Sequence, residues 1–153
     1  MLNLYYTMIS LYLNYGNIVW ASNHESRIKC LTVLQKRAIR VIVRQHTFAR
    51  FEEINMMKFE SINKYQIGIF VYKYVNGKLP IAFKDFFVRV EDSHGYSTRV
   101  TGGMVRQYAR TNYRQFAVAC KGPKIWNDIP TVMKSARELH FFIKSWKTYV
   151  INN

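Results

Sequence analysis

Acidic residues are scarce in this sequence. Only nine of its 153 residues are Asp or Glu, against 23 Lys or Arg, and the formal net charge is +14. Two-metal catalysis of phosphoryl transfer needs several carboxylates in one place, and the chain has no adjacent Asp-Asp pair. The imbalance argues against a polymerase-type metal centre and favours an anionic partner, either nucleic acid or an acidic membrane surface. The alternative is a basic surface that serves solubility and has no specific partner.

Sequence signatures of catalysis are missing as well. The chain has no GxxxxGK[ST] phosphate loop and no GxGxxG, HExxH or GxSxG motif. Gly102-Gly103 is a lone glycine pair of the kind found in turns. We predict that this chain alone is not an enzyme, has no catalytic residues and holds no cofactor.

Cysteine and histidine are too few and too scattered for a metal site. No histidine has a Cys or another His at the spacing of metal ligands; the residues concerned are Cys30, Cys120, His24, His46, His94 and His140. Both cysteines lie in apolar stretches, which predicts buried free thiols in a reducing compartment. We therefore expect no bound metal, and an intracellular protein of the cytoplasm or nucleus.

Apolar and aromatic residues are plentiful. They make up 49% of the chain and include eleven Tyr, ten Phe and three Trp, which supports one domain or two small subdomains and argues against disorder. Residues 4–20 are uncharged over nearly the length of a membrane span, but polar residues interrupt them and no basic segment precedes them. We expect a buried helix there; a membrane anchor is the alternative. The chain begins inside this pattern without a capping residue, which predicts a fragment.

Helical periodicity predicts a mainly α fold, a small bundle of about five helices. The long helices are expected at residues 4–15, 24–44, 59–74 and 138–150, with a short helical piece at residues 51–57. The predicted core face of the first helix is Leu4, Met8, Leu11 and Tyr15. The predicted core face of the second is Ile28, Leu31, Leu34, Ala38, Val41 and Ile42.

The pattern changes after a polar connector at residues 91–97. We therefore divide the chain into a helical region, residues 1–90, and a basic C-terminal region, residues 91–153. Arg114, Phe116 and Val118 alternate with smaller or polar residues, which predicts a short β segment near residues 96–120. Gly122-Pro123 is expected to turn the chain into a short helix that follows it.

The cations form two groups. Residues 26–51 contain seven Lys or Arg and no acid, and residues 93–127 contain six and no acid. In the second group arginines alternate with tyrosines, and arginine can grip phosphates while aromatic rings stack on bases. A half-buried basic sheet would have the same composition and is an equal alternative. The candidate nucleic-acid-binding residues are Lys29, Lys36, Arg37, Arg40, Arg44, Arg99, Arg106, Arg110 and Arg114.

The order of short motifs along almost the whole chain carries a family resemblance. The motifs are Leu4-Tyr5-Tyr6, Tyr12-Leu13-Asn14-Tyr15-Gly16-Asn17-Ile18-Val19-Trp20, Leu34-Gln35-Lys36-Arg37-Ala38-Ile39-Arg40, Phe70-Val71-Tyr72-Lys73, Asn76-Gly77-Lys78-Leu79-Pro80, Tyr96-Ser97-Thr98-Arg99, Arg110-Thr111-Asn112-Tyr113-Arg114-Gln115-Phe116, Gly122-Pro123-Lys124-Ile125-Trp126-Asn127-Asp128-Ile129-Pro130, and the pair Phe142 and Lys144. In this order they resemble the region that follows the reverse transcriptase core in non-LTR retrotransposons of the jockey type and its relatives. Leu11 departs from the pattern, which commonly has a proline there.

The resemblance implies a thumb-like helical region and a post-thumb segment of an RNA-directed DNA polymerase. The catalytic aspartates of that family precede this region and are absent here. The implied partners are the backbone of an RNA template and DNA primer, contacted without sequence readout, and a missing polymerase palm domain. From the residues alone, a helical protein-interaction module without nucleic-acid binding stays open as the alternative.

Overall fold

The computed structural model describes residues 2–43, 56–93 and 102–152, and most of these are helical. The predicted mainly α fold class is confirmed. The α-helices are α1 (Leu2–Leu4), α2 (Leu11–Asn14), α3 (Asn17–Trp20), α4 (Glu25–Val43), α5 (Phe59–Val75), α6 (Val90–Ser93), α7 (Asn112–Phe116), α8 (Val118–Asp128), α9 (Thr131–Lys134) and α10 (Leu139–Asn152). A π-helical turn (Tyr5–Ser10) joins α1 to α2, and a 3-10 turn (Ile81–Phe83) precedes α6. Within the described ranges, no helix combines the length and the apolar character that a membrane crossing requires.

The predicted β segment is reduced to one isolated antiparallel bridge, between Arg89 and Met104, in the part of the chain that the structure describes. The strand expected around residues 114–118 is wrong, because these residues belong to α7 and α8. Thr111 explains the difference. Its hydroxyl accepts a hydrogen bond from the Arg114 N–H and caps the first turn of α7, a local signal that outweighs an alternating pattern.

The turn expected at Gly122-Pro123 is also wrong, since both residues lie inside α8. Gly122 is buried, and a Cβ there would lie 2.8 Å from two ring carbons of Phe87. An interior proline costs a helix about 3 kcal/mol. Both residues are nevertheless buried, and the helix continues through them to Asp128.

The described chain divides into two compact units. Unit 1 is Met1–Gln66 with Lys147–Asn153, and unit 2 is Ile67–Trp146. The predicted connector begins in α6, inside unit 2. The predicted domain boundary after residue 90 stays a prediction.

The core of unit 1 is built from two clusters. One contains Tyr5, Ile39 and Met56, and the other contains Leu13, Ala21, Phe59 and Ile62. The predicted core face of the first helix is therefore wrong. Its members are exposed, and they are Leu4, Met8, Leu11 and Tyr15. Residues 51–55 of the predicted short helix lie outside the described residues, and the last two residues of that prediction are not helical.

A buried amide decides which side of α4 faces this core. The Gln35 Nε2 donates to the Tyr5 hydroxyl (2.8 Å) and to the Met57 carbonyl (3.0 Å), while its Oε1 accepts from the Phe59 N–H (2.9 Å). A buried amide is costly unless it is paired in this way. Gln35 is 2% exposed and Ile39 1% exposed.

The predicted core face of α4 is consequently only partly right. Ile28, Leu31, Ala38 and Ile42 are half-buried. The prediction is wrong for the other two residues of that face, because Leu34 is 56% exposed and Val41 is 74% exposed. The buried side of the helix is centred nearer Gln35 than the predicted core face was. The prediction omitted Gln35 from that face because its side chain is polar.

Unit 2 has an aromatic core. The rings of Tyr72 and Phe142 stack with centroids 4.1 Å apart, and Phe142 stacks in turn on Trp146. The Tyr72 hydroxyl donates to the Ala136 carbonyl (2.6 Å), and the Trp126 Nε1–H donates to the Gly102 carbonyl (2.9 Å). Because the buried polar tips of these rings are satisfied, the rings can serve as fixed supports for the segments around them.

Candidate nucleic-acid interface

Helix α4 presents four of the predicted cations on one side. Lys29, Lys36, Arg37 and Arg40 are all exposed. At 100° per residue they fall within a sector of about 100°, away from buried Gln35 and Ile39. Lys36 and Arg40 are four residues apart, so they lie about 6 Å apart along the helix axis. We call these four side chains the α4 row.

The α4 row is suited to phosphate contact without base readout. From Lys29 to Arg40 it extends about 16 Å along the helix, against about 3.4 Å of axial rise per phosphate on one strand of B-DNA. Among the residues of α4 only Glu25, at its first position, is acidic, so the helix itself places no carboxylate between the cations of the row. Helix α4 contains no aromatic residue either, and so the helix itself offers no ring for a base to stack on. The row can therefore contact a line of phosphates through its positive charges, without stacking on bases.

The second predicted set lies in unit 2. Arg106, Arg110 and Arg114 are exposed. The first two lie on the non-helical segment between the Arg89–Met104 bridge and α7, and the third lies in α7. Two further predicted residues, Arg44 and Arg99, lie outside the described residues. As nucleic-acid contacts, all nine stay predictions.

The segment that carries Arg106 and Arg110 is held near both ends. At its start, the Val105 N–H donates to the Val88 carbonyl (2.9 Å), and the side-chain amide of Asn127 bonds both backbone groups of Met104. At its end, the Thr111 cap begins α7. A long contact of 3.5 Å joins the Gln115 Nε2 to the Ala109 carbonyl. These contacts fix the segment at its start, through Asn127 of α8, and at its end, where α7 begins.

Burial alternates along this segment. Val105, Gln107 and Ala109 are half-buried, whereas Arg106, Tyr108 and Arg110 are exposed. Such a period of two is the pattern of an extended chain with one side against the protein. The exposed side is thus a tyrosine flanked by two arginines, and we call these three residues the Arg–Tyr–Arg segment. Sequence reasoning noted that arginine and tyrosine alternate here and expected a β segment near residues 96–120, but it based that segment on residues 114–118, which are helical.

Two further lysines of unit 2 were not among the predicted contacts. Lys121, in α8, lies over the ring of Phe116 at 5.1 Å from its centroid, and Lys124 is exposed. Burial lowers the pKa of Lys121, and the nearby charge of Lys124 lowers it further. Both residues lie in the stretch of residues 93–127 that contains no acid. The missing acids were the sequence signal that could have identified these lysines as candidates.

Unit 2 also contains a cleft that sequence reasoning missed. Its volume is about 670 Å³, and Tyr74, Leu79, Pro80, Phe87 and Arg89 are among the residues that line it. The volume suits a small ligand. However, the single Tyr74 O–H lies within hydrogen-bond distance of the Phe87 carbonyl (2.6 Å) and the Lys84 carbonyl (2.8 Å), and Arg89 donates to the Val75 carbonyl. Tyr74 and Arg89 are thus engaged in holding the loop, while the charged residues Lys84, Asp85 and Asp92 also line the cleft.

The described parts of the chain contain no group of three or more His, Cys, Asp or Glu residues that could hold a metal ion. Both cysteines are free thiols, but the prediction that both are buried is wrong. Cys30 is exposed on α4 and Cys120 is half-buried in α8. Cys30 faces outward because the buried side of α4 is centred on Gln35 and Ile39.

Comparisons with protein-family models, with curated proteins and with solved structures found no match to this chain.

Proposed function

We propose that this chain is the thumb and post-thumb region of a non-LTR retrotransposon reverse transcriptase, of the jockey type and its relatives. In this role it contacts the backbone of the RNA template and DNA primer and catalyses no reaction itself. The observation that carries the proposal is the α4 row: four exposed cations in one sector of a helix whose other side is buried. The ordered motifs of the sequence supply the family.

The physical argument is that a thumb holds a duplex without reading its sequence. Lysine and arginine side chains on a rigid helix neutralise phosphates, and the released counterions provide most of the binding free energy. The row satisfies this requirement because its helix is anchored by Gln35 and Ile39 in the core of unit 1. A polymerase that works inside a cell would place the chain in the cytoplasm or nucleus.

The proposal is tested by removing charge from the row. In the variant Lys36→Ala, Arg37→Ala, Arg40→Ala, we expect weaker binding to an RNA–DNA hybrid duplex. The slope of log K against log[salt] should become shallower by about 0.9 for each phosphate that the protein no longer neutralises, or about 2.7 for three phosphates. The measurement is a filter-binding titration at several salt concentrations.

A charge-matched variant is the control. Lys78, Lys84 and Lys147 are exposed and belong to neither predicted set. Replacing these three by Ala removes the same net charge, so we expect a much smaller change in affinity and slope. If both triple variants lose affinity equally, binding depends on total charge alone and the row has no specific role. If the α4 variant binds as the unaltered chain does, the row is not the contact surface.

A helical protein-interaction module is the second candidate function, and the exposed face of the first helical segment favours it. Leu4, Met8, Leu11 and Tyr15 follow the spacing of a core face, yet all four are exposed. An apolar set of this kind is typical of a surface that another protein covers. A polymerase palm domain is the partner that the proposed family would supply.

This second candidate is tested by a pull-down with a separately expressed palm domain of a jockey-type reverse transcriptase. We expect Met8→Ser with Leu11→Ser to abolish capture while leaving the fold intact, because both side chains are exposed. Equal capture of the variant and the unaltered chain would exclude this face. An absence of salt-dependent nucleic-acid binding would favour the module over the thumb.

A further inference from the structure

We infer that the Arg–Tyr–Arg segment of unit 2 is a binding site for unpaired nucleic-acid strand, in which a base stacks on Tyr108 while Arg106 and Arg110 contact the flanking phosphates. The inference rests on the proposed function, because it presumes a nucleic-acid partner. It goes further by assigning a different substrate form, single strand rather than duplex, to a site in the other compact unit.

The first step is the exposure of the tyrosine. Tyr108 is 87% exposed, although a tyrosine ring gains free energy from burial and usually lies at least partly covered. An exposed aromatic ring on a non-helical segment offers a flat face on which a base can stack. Stacking of this kind tolerates every base, since each has a π face.

The second step is the position of the two arginines. Arg106 and Arg110 share the exposed side of the segment with Tyr108. At the rise of an extended chain, about 3.3 Å per residue, each lies about 7 Å from the tyrosine along the segment. A base on the ring therefore has a guanidinium available for the backbone on either side. Guanidinium groups bind phosphates through paired N–H donors.

The third step is pre-organisation. Asn127 and the Val88 carbonyl hold the start of the segment, and the Thr111 cap fixes the point where α7 begins. Asn127 is itself part of α8, whose Trp126 is buried. A site on a fixed segment loses less conformational entropy on binding than the same residues would on a free chain.

The contrast with α4 explains why the two sites differ. The α4 row has four cations and its helix has no aromatic residue, so it can follow a backbone but cannot hold an unstacked base. The bases of a duplex already stack on one another and are not available to Tyr108. The Arg–Tyr–Arg segment should therefore discriminate between single strand and duplex, whereas the α4 row should not favour the unpaired form.

The test is Tyr108→Ala with two probes, fluorescein-labelled dT15, which cannot pair with itself, and a 15-base-pair RNA–DNA hybrid. Binding of the full chain is followed by fluorescence anisotropy at several salt concentrations. We expect Tyr108→Ala to weaken dT15 binding about 5- to 160-fold, which corresponds to about 1–3 kcal/mol for stacking on an aromatic side chain. Hybrid binding should change less than about twofold, since stacked bases give Tyr108 nothing to bind. The salt slope should not change, because no charge is removed.

Three control variants separate stacking from other effects. Tyr108→Phe keeps the ring and should bind dT15 within about twofold of the unaltered chain. Tyr12→Ala removes a tyrosine of similar exposure, 81%, from α2 in unit 1 and should leave dT15 binding unchanged. Arg106→Ala with Arg110→Ala should make the dT15 salt slope shallower by about 1.4, which corresponds to two phosphates at about 0.7 each for single strands.

The outcomes separate this inference from the proposed function. If Tyr108→Ala binds dT15 as tightly as the unaltered chain while the α4 row still governs hybrid binding, the single-strand site is wrong and the thumb proposal stands. If Tyr108→Ala weakens dT15 and the hybrid by equal factors, the segment does not select unpaired strand and the inference is wrong. If neither probe binds in a salt-dependent way, both proposals fail.

Discussion

Asn127 pairs with both backbone groups of Met104: its Nδ2 donates to the Met104 carbonyl and its Oδ1 accepts from the Met104 N–H, each at 2.9 Å. The amide side chain thus acts as a neighbouring strand would. Met104 also forms the bridge with Arg89, and it is 2% exposed. One side chain of α8 therefore fixes the start of the Arg–Tyr–Arg segment.

The first prediction concerns this pair. Asn127→Ala should lower the free energy of unfolding by about 1–3 kcal/mol, because it leaves a buried N–H and a buried carbonyl without their partners. Urea denaturation followed by circular dichroism measures the change. Asn112→Ala is the control: Asn112 is exposed, and the cost should stay below about 0.5 kcal/mol. A cost for Asn127→Ala as small as that of the control would mean that water replaces the amide.

The second prediction separates the observed core face of α4 from the predicted one. Ile39→Ala should cost about 2–4 kcal/mol of unfolding free energy, since Ile39 packs in the cluster with Tyr5 and Met56. Leu34→Ala removes a side chain of similar size that is exposed, so it should cost less than about 0.5 kcal/mol. The two variants are compared in one set of denaturation curves. Equal costs would show that something covers Leu34 in solution.

The third prediction concerns the close approach of Gly68 to Trp146 in unit 2. A Cβ on Gly68 would lie 2.7 Å from the Cε2 atom of the Trp146 ring, too near for contact. On an open helix surface, Gly→Ala stabilises by about 1 kcal/mol. Here we expect Gly68→Ala to destabilise by about 1–3 kcal/mol, because the ring or the helix must move. Thermal unfolding shows whether Gly68→Ala lowers or raises the stability. A raised melting temperature would contradict the prediction and show that the Trp146 ring moves aside at little cost.

The fourth prediction is a loss of stability at alkaline pH. Burial raises the pKa of Tyr5, with a smaller opposing effect of the hydrogen bond from Gln35 and a small rise from Tyr6. Burial also raises the pKa of Tyr65 and of Tyr72. Unfolded tyrosines lose their protons near pH 10, whereas these folded ones lose them at higher pH. At these three tyrosines the unfolded state then binds fewer protons than the folded state, so their contribution to the free energy of unfolding falls as the pH rises through and above 10.

This pH dependence is measured by urea denaturation between pH 8 and pH 12. Tyr5→Phe should make the fall above pH 10 less steep, because one of the three tyrosines no longer titrates. The slope below pH 9 should be the same in both proteins and serves as the internal control. Tyr5→Phe also removes a partner of Gln35, so the slopes are compared rather than the absolute values. An unchanged slope above pH 10 would mean that Tyr5 is not protected from ionisation in the folded chain.

Much of the helical architecture was predictable. The two longest helices, α4 and α5, and the last, α10, lie close to their predicted ranges, and Phe142 and Trp146 of α10 are buried. Helical periodicity over fourteen or more residues is a strong local signal. The exposure of the α4 cations also followed from the sequence, since burial of an unpaired charge costs more than any packing around it could return.

The faces of the first helical segment and the course of residues 105–118 were not predictable. Leu4, Met8 and Leu11 are as apolar as the residues that are buried instead, so local pattern could not choose between the two sides. The choice depends on partners far along the chain: Tyr5 meets Gln35, and Asn17 accepts a hydrogen bond from Asn63. Likewise the strand-like stretch lies before α7, because Asn127 and the Thr111 cap set its ends.

The sequence by itself determined that this chain is mainly helical, strongly basic and without a catalytic motif, because periodicity, charge and missing residue types are local properties. Only the tertiary structure decided that Arg106, Tyr108 and Arg110 share one exposed side, and that the α4 row lies away from the buried side around Gln35. Both results come from hydrogen bonds between residues more than twenty positions apart. A buried polar group must find its partner wherever the chain provides one, and that requirement sets the faces of the surrounding segments.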